Sequence, residues 1–263
     1  MVKKKRIWEL DFLRGIAILL MVFDHAMYYV TTIPSLFSNY YMNNTFINEL
    51  VHFANNYFRS SFREGWHIVF VTVFLLLVGI SCHFSRSNLK RGTQILGFGI
   101  LLSIGTIILE LIGMNGTYIF NGILTLIGTS VLLCCLIDKL PGSKLWFLVF
   151  GTIILMVGLN YNMFTVRGVN DIATFEHFMQ VVIGTRAYGA DSFGLFYAGI
   201  VFIGVFIGKT IYDERRSLLP KLDGAWNKPV CFVGRNTIWV YLASPIVLYV
   251  IIFIVCLCLG YRF

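Results

Sequence analysis

The chain reads as an all-α polytopic membrane protein of about seven, seven to eight, transmembrane helices with its amino terminus in the cytoplasm. Three observations predict this class. The composition is 57% hydrophobic with only 13% of residues charged, too apolar for a soluble domain. Apolar runs recur near the roughly 20-residue length that crosses a bilayer. The basic residues gather in the segments on one side of those runs.

The apolar runs place helices at 8–31, 66–84, 93–113, 118–137, 145–160, 193–212 and 236–260. An eighth, re-entrant piece is expected around 172–189. The polar insert 31–65 reads as an outer loop, as does 160–192. No fixed-period repeat is visible, and the first apolar run lacks a small-residue cleavage site, so no cleavable signal is expected. The whole chain, 1–263, is taken as one integral membrane domain.

Orientation follows from the loops. Lys3, Lys4, Lys5, Arg6, Arg86, Lys90, Arg91, Lys139, Lys144, Lys209, Arg215, Arg216, Lys221, Lys228 and Arg235 fall on one side, fifteen in all, against five on the other: Arg59, Arg63, Arg167, Arg186 and Arg262. The positive-inside rule makes the richer side cytoplasmic, in a cell membrane. This topology accounts for the net charge of +8. No basic stripe alternates with stacking aromatics, so no nucleic acid is expected as a partner.

The first helix carries charge where charge is costly. A charged group near the bilayer centre costs at least about 2.5–3.5 kcal/mol, yet 8–31 contains Arg14, Asp24 and His25. Arg14 and His25 are eleven residues apart, which leaves them about 20° from the same helical face. Arg14, Ile18, Met21 and His25 therefore form one stripe, and Asp11 precedes Arg14 by three and can pair with it. Asp24 lies about 100° round the helix from His25. Its expected partner is a basic group such as Arg63 or Arg186.

Five stretches in order, "RIWELDFLRGIAILLMVFDH", "FLLLVGISCHFSRSNLKRG", "YIFNGILTLIG", "ADSFGLFYAGIVFIGVFIGK" and "FVGRNTIWVYL", resemble segments of the heparan-α-glucosaminide N-acetyltransferase catalytic-domain family of membrane acyltransferases. They are spread along the chain from Arg6 to Leu242. The resemblance implies transfer of an acetyl group from cytoplasmic acetyl-CoA to an extracytoplasmic acceptor, a sugar or amino sugar. It also implies a His or Asn late in helix 1 at the catalytic centre, and His25 is the matching position. The chain departs from bacterial-type relatives in having Thr125 after Gly-Ile-Leu, and Ala243-Ser244 after Tyr241-Leu242.

Each site residue has a chemical reason. An acceptor hydroxyl or amine must lose a proton as it attacks a thioester, and imidazole suits that task; His25 could equally be acetylated as a nucleophile. Asp24 and His67, which opens the second helix beside Trp66, complete the catalytic candidates. Asp191, Asn121 and Arg63 are the candidate acceptor-binding groups, Asn121 with an oxyanion-type alternative. Arg14, Arg86, Arg235 and Asn236 are the candidates for the CoA phosphates, since Arg grips phosphate bidentately. The six cysteines, Cys82, Cys134, Cys135, Cys231, Cys256 and Cys258, read as buried free thiols, and no metal is expected. The competing classes are a transporter or flippase lined by Arg14 and His25, and an inactive relative serving as a membrane binding protein. The expected partners are membrane lipid, the CoA thioester and a small-molecule or glycan acceptor, with a homodimer as one possible assembly.

Overall fold

The computed structural model describes residues 7–42, 44–112, 117–165, 168, 174–189 and 191–262. Lys3, Lys4, Lys5, Arg6 and Arg167 lie outside the described residues. Ten α-helices occur among those described, with three isolated β-bridges and no strand. Five of them are long and apolar enough to cross a membrane: α1 (Trp8–Leu36), α3 (Ser61–Phe84), α4 (Asn88–Leu111), α6 (Ser143–Asn160) and α10 (Thr237–Cys258). The expected spans at 118–137 and 193–212 are shorter than the sequence suggested. Their helices are α5 (Ile123–Ile137) and α8 (Ala198–Thr210), the latter preceded by a 3-10 turn from Leu195. A 15-residue helix is about 22 Å long, and 118–122 ahead of α5 is bridged to another segment instead of helical.

The insert 31–65 is not a loop. α1 runs to Leu36 with Pro34 inside its last turn, α2 occupies Thr45–Arg59, and α3 already starts at Ser61. Asn44 starts α2 by accepting the Phe46 N–H on its side chain, the ordinary use of an Asn N-cap. The piece around 172–189 holds α7 (Phe175–Ile183), nine residues long. A further short helix, α9 (Lys228–Arg235), precedes α10.

The chain clusters into two compact units, residues 1–74 with 217–263, and residues 75–216. In the first unit α1 packs against α2, α9 and α10. Its amino-terminal turn is held by polar bonds: buried Glu9 accepts the Leu218 N–H at 2.7 Å and the Ser217 hydroxyl at 2.8 Å, and the Trp8 indole N–H donates to the Leu219 carbonyl. At its other end Val30, Ile33 and Phe37 pack with Ile47, Val51 and Ala54 of α2 and with Cys256 and Tyr261. The Asn39 amide donates to the Gly260 carbonyl and its oxygen accepts the Arg262 N–H, tying the end of α10 to the end of α1.

The α1–α9 contact is backbone against backbone. A Cβ at Gly234 would stand 1.8 Å from the Asp11 carbonyl oxygen, and one at Gly15 would stand 2.1 Å from that of Val230. Small residues permit this approach in membrane helices, where close packing replaces the hydrophobic drive. Gly234→Ala is expected to lower the unfolding midpoint in detergent, at a cost of about 1–3 kcal/mol for overpacking. Gly97→Ala, where nothing lies within 4 Å, is the control. Equal midpoints for the two variants would remove the close approach as a determinant of stability.

In the second unit α4 packs on α5, and α6 on α8. α3 crosses α8 where Gly79 meets the Val201 carbonyl and Gly204 meets that of Leu76. Lys209, at the end of α8, pairs with Asp138 and donates to the Ser143 hydroxyl, which fastens α8 to the α5–α6 turn.

Candidate active site

The first unit holds two polar clusters, both built on α1. At its start, Asp11 is buried and serves two guanidiniums. Arg14 Nη1 donates to Asp11 Oδ1 at 2.8 Å, the i to i+3 pair expected from spacing, and Arg235 Nε of α9 donates to Oδ2 at 3.1 Å. The Arg235 side chain is 42% exposed, so it has donors to offer an anion. Asn236 closes α9, its amide donating to the Phe232 carbonyl. Arg86 sits exposed in the turn between α3 and α4, in the second unit. The structure thus joins Arg14 to Arg235 directly and puts Asn236 next to them in sequence.

The second cluster lies three turns further along α1. Asp24 pairs with Arg63 and not with Arg186. Arg63 Nε donates to Asp24 Oδ1 at 3.0 Å and Nη2 to Oδ2 at 2.8 Å, a two-pronged grip, and the Tyr57 hydroxyl also donates to Oδ1 at 3.0 Å. The Asp24 side chain is only 10% exposed, so the ion pair removes the penalty of a lone buried charge. Arg63 also stands over the Phe58 ring at 4.8 Å. Burial first, and then the neighbouring Asp24 charge, push the Tyr57 phenol up to about 12, so it remains a donor at every working pH.

His25 adjoins this cluster without hydrogen-bonding to it. Its Nδ1 is buried and has no hydrogen-bond partner among the described residues. His67, one helical turn after Arg63 on α3, packs edge-on against Phe70 and interacts electrostatically with His25, Asp24 and Arg63. The three catalytic candidates, His25, Asp24 and His67, are therefore brought together with Arg63. Sequence reasoning missed Tyr57. Its signal was the stripe Ile47, Val51, Ala54 and Phe58, at the 3–4-residue spacing of a helix, inside a segment taken as loop.

Asp191 and Asn121 meet in the second unit. Bridges join Ile119 to Gly189 and Asn121 to Ser192. The Asn121 amide donates to the Phe193 carbonyl at 2.7 Å, and its own carbonyl accepts the Phe193 N–H at 2.7 Å. Asn121 thus has a structural task, pairing two of the five quoted stretches. The Asp191 carboxyl lies beside Gly122, at the start of α5, a favourable place for negative charge. Burial nevertheless dominates and pushes its carboxyl up to about 6. Glu110 of α4 accepts the Thr117 and Tyr118 N–H groups at the same end of the unit.

The raised Asp191 carboxyl has a measurable consequence. Between pH 4 and 6 the folded protein holds this proton more tightly than the unfolded chain, so the site's contribution to stability falls as pH rises through that window and stays low above it. Asp191→Asn keeps the shape of the side chain and removes the charge. Its unfolding midpoint is expected to match the wild type near pH 4 and exceed it at pH 8. An offset that does not change with pH would refute the burial argument.

Among the described residues, five helices long and apolar enough to cross a membrane define a multi-pass membrane protein, and the family its sequence matches is one of membrane acyltransferase type. The model of the heparan-alpha-glucosaminide N-acetyltransferase catalytic family matches residues 6–245, nearly the whole chain, and the chain belongs to that family. No curated protein and no solved structure matches it. Among the described residues no group of three or more His, Cys, Asp or Glu could hold a metal.

Proposed function

We propose that the protein transfers an acetyl group from acetyl-CoA, bound from the cytoplasm, to a sugar or amino-sugar acceptor on the far side of a cell membrane. In this reading the five long helices and the two shorter ones, α5 and α8, make seven spans with the amino terminus inside. His25 is the base or nucleophile. The acceptor's oxygen or nitrogen attacks the thioester carbonyl, His25 takes its proton, the C–S bond breaks, and CoA leaves as the thiolate, which the imidazolium can reprotonate. His67 is the second proton-handling group, with Asp24 and Arg63 bracing both histidines. Arg14 and Arg235, with Asn236 beside them, face the CoA phosphates. Arg86, for the phosphates, and Asp191 and Asn121, for the acceptor, belong to the other unit, and their roles rest on the sequence.

The observation that carries this reading is the buried, unpartnered His25 Nδ1 in a chain of this family. It lies eleven residues, about 16 Å of helix, outward from the Arg14–Asp11–Arg235 cluster. A buried polar atom without a protein partner calls for a reason, and proton transfer from a bound acceptor supplies one here.

The test is transfer of labelled acetyl from acetyl-CoA in proteoliposomes supplied with amino-sugar acceptors, run beside calorimetric CoA binding in detergent. The wild type is expected to transfer label. Arg14→Ala and Arg235→Ala are each expected to weaken CoA binding by about tenfold or more, the loss of a charge-assisted bond. Unchanged affinity in both would remove them from the phosphate site, and absence of transfer to every acceptor would overturn the enzyme reading.

A further inference from the structure

We infer that Tyr57 is a positioning residue for the histidine centre, acting through Asp24. The inference rests on the proposed transfer reaction and adds to it a residue on α2, a helix that is not among the five long spans.

Three elements converge on one carboxylate. Asp24 is on α1, Tyr57 near the end of α2, and Arg63 in the first turn of α3. Asp24 Oδ1 accepts from both Tyr57 and Arg63 Nε, while Oδ2 accepts from Arg63 Nη2 alone. A guanidinium by itself can slide along a carboxylate or trade one nitrogen for another. The third donor, coming from a different helix, leaves the carboxylate one orientation. The corner between α2 and α3 is itself locked, for the Ser60 hydroxyl donates to the Tyr57 carbonyl at 2.6 Å and accepts the Arg63 N–H at 3.2 Å. The Tyr57 ring sits edge-on to Phe23 of α1 at 5.5 Å.

The geometry ties this brace to both histidines. Asp24 adjoins His25 in sequence and interacts with it electrostatically, so a carboxylate held in one orientation gives the His25 ring a fixed field. Arg63 and His67 are four residues apart on α3 and share a face, and His67 interacts electrostatically with both Arg63 and Asp24. The Tyr57 hydroxyl thus acts, through its bond to Asp24, on the carboxylate that interacts with both imidazoles. It does not reach either ring, so its part is alignment and not chemistry. Misplacing catalytic groups by a fraction of an ångström lowers turnover without changing affinity for a substrate bound elsewhere.

The test is Tyr57→Phe, which deletes one oxygen and keeps the ring against Phe23. In the transfer assay kcat is expected to fall about tenfold, the usual worth of a hydrogen bond to a charged group, with the KM for acetyl-CoA unchanged. On an Asp24→Asn background the same substitution is expected to have no further effect on kcat, because the two residues act as one unit. A second readout does not depend on activity. In protein labelled with ¹⁵N-histidine, Tyr57→Phe is expected to shift the His25 and His67 ring signals and leave those of His83 and His177 in place. Unmoved His25 and His67 signals, or an additive loss on the Asp24→Asn background, would overturn the inference. A wild type that transfers nothing while the two ring signals still move would refute the enzyme reading and leave the brace intact.

Discussion

His25→Ala is expected to transfer acetyl about 10²–10⁴ times more slowly than the wild type, the contribution usual for general-base catalysis, while binding CoA and unfolding as the wild type does. The separation of activity from folding follows from its environment. The Nδ1 of His25 has no hydrogen-bond partner among the described residues, so removing the ring orphans no buried donor or acceptor there, and orphaned groups are what make most buried polar substitutions costly. His25→Asn distinguishes the two chemical roles. Asparagine can orient an acceptor or stabilise charge but cannot carry an acetyl group as an imidazole does. Retained activity in that variant would exclude the nucleophile. A His25→Ala protein acetylating near the wild-type rate would end the assignment and make His67 the next candidate.

The largest effect on stability is expected at Arg63. Arg63→Met leaves the Asp24 carboxylate buried with only Tyr57 as a donor, and breaking a buried ion pair from one side typically costs about 3–5 kcal/mol. The double variant Asp24→Asn/Arg63→Met removes both charges together and is expected to recover much of that loss, since a neutral pair carries little desolvation penalty. Unfolding midpoints of the two single variants and the double variant in one detergent give the coupling. If the double variant is as unstable as the sum of the singles, Asp24 and Arg63 contribute independently and the pair is not the anchor of the α2–α3 corner.

Much of the centre on α1 is legible in the sequence. The 3.6-residue period puts Arg14 and His25 on one stripe and Asp11 within reach of Arg14, and both relations depend only on helix geometry. The choice between Arg63 and Arg186 as the partner of Asp24 is not legible there, because it depends on where α3 starts and how it approaches α1. The helix α2 escapes notice for a related reason. Its apolar stripe is narrow, and Asn44, Asn48, Glu49, Asn55 and Asn56 make the segment polar on average. A helix that buries one edge on α1 needs no more apolar residues than that, and averaging over the segment hides the stripe. The lengths of α5 and α8 are overestimated from sequence because 118–122 and the residues ahead of Leu195 are apolar too, yet bridges and a 3-10 turn use their backbone bonds.

By itself the sequence determined that this is a helical, membrane-spanning chain, that it resembles one acyltransferase family, and that ionisable side chains recur along one face of its first helix. These properties follow from composition, run length and period, which are local and survive without knowledge of any contact. Only the tertiary structure decided that Arg14 and Arg235 share Asp11, that Asp24 is gripped by Arg63 and Tyr57, and that Asn121 and Asp191 meet ahead of α5. The long-range pairings among these join residues 33 to 224 positions apart. Which buried charge finds which partner is a matter of how the helices pack, at close approaches such as Gly15 and Gly234, and packing is a property of the assembled chain that no single segment contains.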